Sequence, residues 1–339
     1  MAEDQRPGTV YWIDHVAFPT NDLTRWIDFT VDILGAKPDR ITGLTTAARL
    51  RGQPSIVFCR TPYSIVDGFL QNEILPPAPA PGEVLPRVGF FIRKEDIAEH
   101  LRRLDEHGVP HTDAMRTSDE GQDGTAIRFT DPDGNQFEFW APEHMPIGGM
   151  AGAGPLKVGR ISHAVYESRD LDRTAAFFSK FAALDPINSA DIPKDTLAMP
   201  LVGGGRIVYK QVDELGTWTL GRARWQGPHT ALTVRDEDYF DNYRRMWASL
   251  PESDTTQRPE DSVAMAALPA RTIMHGSAGG RHWFSLFGRG DDFYDEDANS
   301  FHFIGSAGMD ESPALTYKSH SMEYHVERVP KDANGRPIV

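Results

Sequence analysis

The chain contains two similar ten-residue segments, DPDGNQFEFW at 131–140 and DEDANSFHFI at 295–304. Each begins with a turn rich in Asp and Asn and continues into a short apolar strand. One difference between the two copies is central to the chemistry, because Glu138 of the first copy corresponds to His302 of the second. A repeat of this kind predicts a fold assembled from copies of one supersecondary unit.

Four segments of the chain share the plan of that unit. A strand pattern at 11–20 followed by an amphipathic helix pattern at 21–36 recurs at 159–186, and segment 85–111 matches segment 226–251 in the same way. Short alternating runs between Gly, Pro and Asp follow each predicted helix and indicate further strands. The sequence therefore predicts a βαβββ unit that occurs four times.

The boundary between the second and third units is marked by a Gly- and Pro-rich stretch. Residues 146–157 lie within APEHMPIGGMAGAGPLK, which has the composition of an interdomain linker. We therefore predict one domain at 1–145 and a second at 158–306, each made of two units. Residues 307–339 are predicted to form a C-terminal tail.

The repeats place polar side chains at three corresponding positions. In the order first half and second half, these are His15 and His163, Arg87 and His229, and Glu138 and His302. Successive side chains of a strand point to opposite faces, so the three histidines of the second half can share one cavity. A single histidine on a strand is commonly a packing residue, but three at repeat-matched positions favour a metal site.

These features resemble the vicinal oxygen chelate superfamily. The resemblance covers residues 11–305 and includes the D-L-x-R-x-x-x-F helices and the D-P-D-G-N-x-x-E closing strand. The length and the layout in two halves are most similar to those of the type I extradiol ring-cleaving dioxygenases. The resemblance implies an α+β fold, in which four βαβββ modules form two domains, each a half-open mixed β-barrel with flanking helices.

The resemblance also implies that a divalent metal ion is held in the second half. The ligands carried over from the family pattern are His163, His229 and His302. The first half, with His15, Arg87 and Glu138, would be a degenerate site in which Glu138 pairs with Arg87, because a guanidinium cannot donate a lone pair to a metal. The D-P-D-G-N turn itself is interpreted as structural.

The predicted ligand set departs from that of the ring-cleaving members, which use two histidines and one carboxylate. Fe(II) is the expected metal, and a site of three histidines also suits Mn(II), Zn(II) or Co(II). His275, Tyr294 and His282 are the candidates for acid–base catalysis, since ring cleavage requires a proton acceptor and a proton donor.

Three functions are compatible with this pattern. The first is a metal-dependent extradiol-type dioxygenase that cleaves a catecholic or hydroquinone-like ring, with a small aromatic substrate and dioxygen as its partners. The second is a redox-neutral lyase, hydrolase or isomerase that uses the three-histidine site, since such chemistry runs on Zn(II) or Co(II). The third is a non-catalytic ligand-binding protein of the same fold.

Composition narrows the partners and the compartment. The chain has 35 basic and 49 acidic side chains, a formal charge of −14, and no Lys/Arg-rich block, which argues against nucleic acid and anionic membranes as partners. The lone Cys59 and the lack of a long apolar segment fit a cytoplasmic protein. The acidic charge is compatible with a homo-oligomer.

Overall fold

The structure is a computed structural model of the 339-residue chain. It describes residues 10–20, 23–41, 45–49, 55–60, 63–66, 69–72, 75, 77–118, 121–150, 153–187, 192–224, 230–235, 293–294, 297 and 300–306.

The first module runs from a long strand through a helix into antiparallel strands. Its elements are β1 (Val10–Thr20), α1 (Leu23–Phe29) with a π-helical turn (Thr30–Leu34), β2 (Lys37–Ile41), β3 (Thr45–Arg49) and β4 (Ser55–Arg60), and a hairpin of β5 (Tyr63–Val66) and β6 (Phe69–Asn72) follows. Gly35 ends the helical segment because it adopts a left-handed conformation with φ 67°.

The second module repeats the predicted βαβββ order, whereas the described part of the third has two strands rather than three after its helix. The second contains β7 (Arg87–Phe91), a 3-10 turn (Lys94–Asp96), α2 (Ile97–Glu106), β8 (Met115–Thr117), β9 (Gly124–Thr130) and β10 (Gln136–Pro142). The third contains β11 (Ile161–Ser168), α3 (Leu171–Ala182), β12 (Thr196–Pro200) and β13 (Arg206–Gln211), and α4 (Thr217–Arg224) follows. Asp170 caps α3, because its side chain accepts a hydrogen bond from the Arg173 backbone N–H.

The described part of the fourth module consists of β14 (Thr230–Arg235), β15 (Phe293–Tyr294) and β16 (Ser300–Ser306). Two seven-stranded mixed sheets result. Sheet I has the order β15-β16-β14-β1-β4-β3-β2, and sheet II has the order β12-β13-β11-β7-β10-β9-β8. These curled half-barrels with few helices confirm the predicted α+β fold of the vicinal oxygen chelate type.

The sheets combine modules from opposite halves of the chain. In sheet I the first strands of modules one and four, β1 and β14, pair antiparallel, and in sheet II β7 of module two pairs antiparallel with β11 of module three. Each sheet therefore takes one module from 1–145 and one from 158–306. We had expected the third and fourth modules to share one barrel, and the strand pairing differs from that expectation.

A large apolar core connects the two sheets. Residues of β7, β10 and β11 and Phe301 of β16 lie in this core, where Tyr166 of sheet II lies 5.5 Å from Phe301 of sheet I between ring centroids. Phe178 of α3 lies 5.2 Å from the same phenylalanine ring. Burial of each such side chain contributes about 1.5–3 kcal/mol.

The two D-x-D-x-N turns hold the halves of each predicted domain together. Asp133 accepts hydrogen bonds from Thr20 Oγ1 at 2.5 Å and from Arg25 at 3.1 Å, while Asn135 Nδ2 donates to the Pro19 carbonyl at 2.9 Å. In the second copy, Asp297 accepts from Arg169 Nε at 2.7 Å. The structural role predicted for the first turn is confirmed.

Candidate metal centre

Each sheet contains a cross-strand row that starts at a histidine of a first strand and ends on a closing strand. In sheet II, His163 of β11 faces Gly89 of β7, and Gly89 faces Glu138 of β10. In sheet I, His15 of β1 faces Ala231 of β14, and Ala231 faces His302 of β16. Because the strands run in corresponding directions, the two rows have the same backbone geometry. We call them the sheet II row and the sheet I row.

The sheet II row is an ion cluster centred on Glu138. Its Oε2 lies 3.1 Å from Arg87 Nε and accepts a hydrogen bond from Arg128 Nε at 3.1 Å. Its Oε1 lies 3.3 Å from His163 Nε2, which is within ion-pair distance, but the two groups are not aligned for a hydrogen bond. Arg87, Glu138 and His163 are all buried. The predicted Arg87–Glu138 pair is therefore confirmed.

The charge state of Glu138 follows from these neighbours. Burial alone would raise the pKa of its carboxyl group, but the positive charge of Arg87, together with His163 and Arg128, holds the pKa below its ordinary value. Glu138 is consequently an ionised carboxylate whose charge is balanced inside the protein. An unbalanced carboxylate at this depth would be strongly destabilising.

A divalent metal does not fit the sheet II row. Glu138 and His163 are suitable ligands, but the Arg87 and Arg128 guanidinium groups lie against the carboxylate and are permanently charged. A metal ion there would have to displace two cations. On the face of sheet II opposite the main core, Leu85, Ile187 and Ile192 also pack onto the apolar residues Val165, Ala198 and Val208.

Gly89 permits the close approach within this row. A Cβ atom at position 89 would lie 2.2 Å from His163 Cε1, so the imidazole can occupy its place only because the residue opposite is glycine. The corresponding residue in sheet I is Ala231, which carries that methyl group. The same placement of an imidazole over the backbone is thus excluded in the sheet I row.

The sheet I row has ligand chemistry that fits a metal better. His15 is buried, and its Nδ1 lies 2.8 Å from the Asp14 carboxylate. An ionised carboxylate can only accept, so this contact favours the neutral tautomer with its hydrogen on Nδ1, in which Nε2 has the lone pair that a metal requires. His302 is placed in the row by the backbone of β16.

A third histidine, which we group with His15 and His302, is identified from the sequence alone. His229 immediately precedes Thr230, the first residue of β14, and lies outside the described residues. It stands two residues before Ala231, as Arg87 stands two residues before Gly89. Among the residues whose side chains are described, no group of three or more His, Cys, Asp or Glu side chains could hold a metal.

The predicted ligand trio requires one correction. His163 lies in sheet II against Glu138, whereas His302 lies in sheet I, so the structure does not place these two histidines in one row. The physical reason is that β11 pairs with β7 and not with β14. His15 shares a row with His302, which we had expected of His163. His163 lies beside Arg87 and Glu138, which we had expected of His15.

The other predicted site residues are located only in part. His275 and His282 lie outside the described residues, while Tyr294 is on β15, where it pairs with Ser300 at the edge of sheet I. Asp14 was not recognised from sequence. Its signal would have been a carboxylate directly before a repeat-matched histidine, where the third module has Ser162.

The fold is of the vicinal oxygen chelate type. Residues 12–139 match the model of the Glyoxalase/Bleomycin resistance protein/Dioxygenase superfamily. No curated protein sequence matches the chain. Within the described part of the chain, none of the helices has the length and apolarity needed to cross a membrane.

Solved structures with related folds cover most of the chain. One is a protein of Bacillus subtilis subsp. subtilis str. 168 described as a "putative dioxygenase", with 17% identity, TM-score 0.58, and coverage of 87% of this chain and 85% of that chain. Another is glyoxalase I from Zea mays, with 12% identity, TM-score 0.52, and coverage of 87% of this chain and 92% of that chain. At these identities the likeness extends to the fold alone.

Proposed function

We propose that the protein is a metal-dependent extradiol-type dioxygenase that cleaves a catecholic or hydroquinone-like ring, with its metal held by His15, His229 and His302. The observation that carries this proposal is the register of the sheet I row. His15 of β1 and His302 of β16 both pair with Ala231, so they stand on the two strands that flank one residue of β14. Two imidazoles on strands that flank one residue are suitably placed to be ligands of one ion.

The chemistry of the three donors supports a transition metal. Imidazole binds Fe, Mn, Zn and Co, and we propose Fe(II) as the resident ion because it serves the ring-cleavage reaction. When bound, the metal would act as a Lewis acid toward two neighbouring oxygens of the substrate. Three neutral ligands leave the full positive charge of the ion available to an anionic diol.

The chain's own residues have two further proposed roles. His15 is fixed by burial and by its contact with Asp14, which sets the direction of its Nε2. Tyr294 shares sheet I with the proposed ligands and is, with His275 and His282, a candidate to hold or transfer a proton. The partners proposed are a small aromatic substrate and dioxygen, in a cytoplasmic protein that forms a homo-oligomer.

The alternative function is a redox-neutral lyase, hydrolase or isomerase. The observation that favours it is the presence of His302 at the position where the sheet II row has Glu138. A site without a carboxylate ligand suits Zn(II) or Co(II), whose chemistry does not require dioxygen. A non-catalytic ligand-binding protein is the remaining alternative.

Oxygen consumption tests the proposal directly. The purified protein would be loaded anaerobically with Fe(II) and assayed with a panel of catechols and hydroquinones, with mass analysis of products formed under ¹⁸O₂. We expect ring-opened products that contain both labelled oxygen atoms, loss of turnover in His15→Ala, and retention in His163→Ala. Turnover in strict anaerobiosis would support the redox-neutral alternative, and metal binding without turnover of any panel member would support the ligand-binding one.

A further inference from the structure

Asp14 and His15 contact each other although they are adjacent in a strand. Successive side chains normally point to opposite faces, which would separate them. The pairing of β1 with β14 shifts its register between Ile13 and His15, which marks a β-bulge or irregularity at this point. A bulge re-aims side chains locally, so the Asp14 carboxylate reaches His15 Nδ1 at 2.8 Å.

The same irregularity recurs in sheet II with different chemistry. The pairing of β11 with β7 shifts between Ile161 and His163, and Ser162 Oγ lies 3.0 Å from His163 Nδ1. The register shift is therefore repeated, whereas the group that contacts the histidine Nδ1 changes from a carboxylate to a hydroxyl. Asp14 and Ser162 are both buried.

The exchange of a carboxylate for a hydroxyl affects which ring nitrogen of the contacted histidine carries the hydrogen. A carboxylate accepts only, so it fixes the hydrogen on Nδ1 and raises the basicity of the imidazole. A serine hydroxyl donates or accepts, so it leaves both neutral tautomers of His163 available. Only the first arrangement prepares Nε2 as a ligand, and it occurs in the row that ends at His302, whereas the other row ends at Glu138.

We infer that Asp14 is a positioning residue for the metal: it holds His15 as the Nδ1–H tautomer and directs Nε2 toward the ion. This inference rests on the proposed metal site in sheet I. Ser162 provides the comparison, because the Glu138 carboxylate of its row is neutralised by Arg87 and Arg128. Removal of such an outer hydrogen-bond partner typically weakens metal binding by about 10- to 100-fold.

The first test is metal affinity, measured by competition of Co(II) with a chromophoric chelator on the full chain. Asp14→Ser reproduces the pairing of Ser162 with His163, and we expect it to weaken Co(II) binding by about 10- to 100-fold. Asp14→Asn keeps an oxygen that can accept from Nδ1–H and should lose less affinity. Ser162→Ala is the matched control and should bind Co(II) like the wild type.

The second test reads the tautomer without a metal. Long-range ¹H–¹⁵N spectra of the metal-free protein should show His15 with hydrogen on Nδ1 in the wild type and a mixture of tautomers in Asp14→Ser. This measurement also shows whether the variant is folded. Unchanged affinity together with an unchanged tautomer in Asp14→Ser would overturn the inference.

His15→Ala separates failure of this inference from failure of the proposed site. If His15→Ala abolishes Co(II) binding while Asp14→Ser binds normally, the metal site stands and the role of Asp14 is wrong. If His15→Ala binds Co(II) like the wild type, the proposed site and the role of Asp14 both fall.

Discussion

The two cross-strand rows share a backbone arrangement and differ in where their positive charge comes from. In sheet II the charge belongs to the chain, because Arg87 and Arg128 surround Glu138. In sheet I the corresponding positions carry histidines, which would need a metal ion from solution in order to coordinate it together. The comparison teaches that one copy of a repeated arrangement can be a self-neutralised structural cluster, while the other keeps the ligand chemistry on which we base the proposed metal site.

Gly89 and Ala231 extend this comparison to the backbone. Glycine lets the His163 ring lie against β7 and close onto Glu138, whereas the methyl group of Ala231 excludes that position in sheet I. A single methyl group therefore excludes from sheet I the ring placement that brings His163 to Glu138 in sheet II.

Loss of Glu138 should produce the largest change in stability. Glu138→Ala leaves Arg87 and Arg128 as buried cations without their carboxylate, so we expect the free energy of unfolding to fall by about 3–5 kcal/mol, measured by urea denaturation. Glu143 is the matched control, because it also contacts two cations, Lys94 and Arg116, but at the surface. Glu143→Ala should change stability far less, and equal losses in the two variants would contradict the account.

The pH dependence of this effect has a defined sign. Because the folded-state pKa of Glu138 is lowered, its stabilising contribution is present above the pKa of the unfolded chain and is lost as the pH falls through the folded-state pKa. The difference in unfolding free energy between wild type and Glu138→Gln should therefore shrink from pH 7 to pH 3. If the difference in unfolding free energy stayed constant over this pH range, the stabilisation by Glu138 would not come from its charge.

The paired substitutions at Gly89 and Ala231 should have an intermediate effect. Gly89→Ala places a methyl group 2.2 Å from the His163 ring, and overpacking of this kind costs about 1–3 kcal/mol. Ala231→Gly introduces no overlap and should cost about 0.5–1 kcal/mol through backbone entropy. Thermal unfolding of both variants checks the order, and a Gly89→Ala protein as stable as the wild type would contradict it.

The turn that joins the first two modules should contribute less. Thr20→Val removes the hydroxyl that donates to Asp133, while Arg25 continues to donate to the same carboxylate. We expect a loss of about 1 kcal/mol in urea denaturation, which is typical of one hydrogen bond. A loss as large as that of Glu138→Ala would mean that this turn, rather than the ion cluster, is the more important polar contact.

Much of the fold was predictable because the repeats carry it. The strand and helix patterns around residues 11–36 and 159–186 define the modules, and the permanent charge of Arg87 correctly predicted its pairing with Glu138. The choice between His15 and His163 was not predictable. Alternation specifies the face of a strand but not its partner, and both histidines have the same pattern around them.

Asp14 was missed for a related physical reason. Its position next to His15 predicts opposite faces of a regular strand, and the register shift that brings the two side chains together leaves no mark in the sequence. Comparison of Asp14 with Ser162 becomes informative only when both contacts to the neighbouring imidazoles are known.

The central claim is that the metal belongs to the sheet I row, and the most direct test is the metal content of His15→Ala and His163→Ala. Both variants would be purified in parallel with the wild type, loaded with the same ion, desalted and analysed for metal. The account predicts about one equivalent in wild type and His163→Ala, and below about a tenth of an equivalent in His15→Ala. Loss of the metal in His163→Ala with full retention in His15→Ala would contradict it.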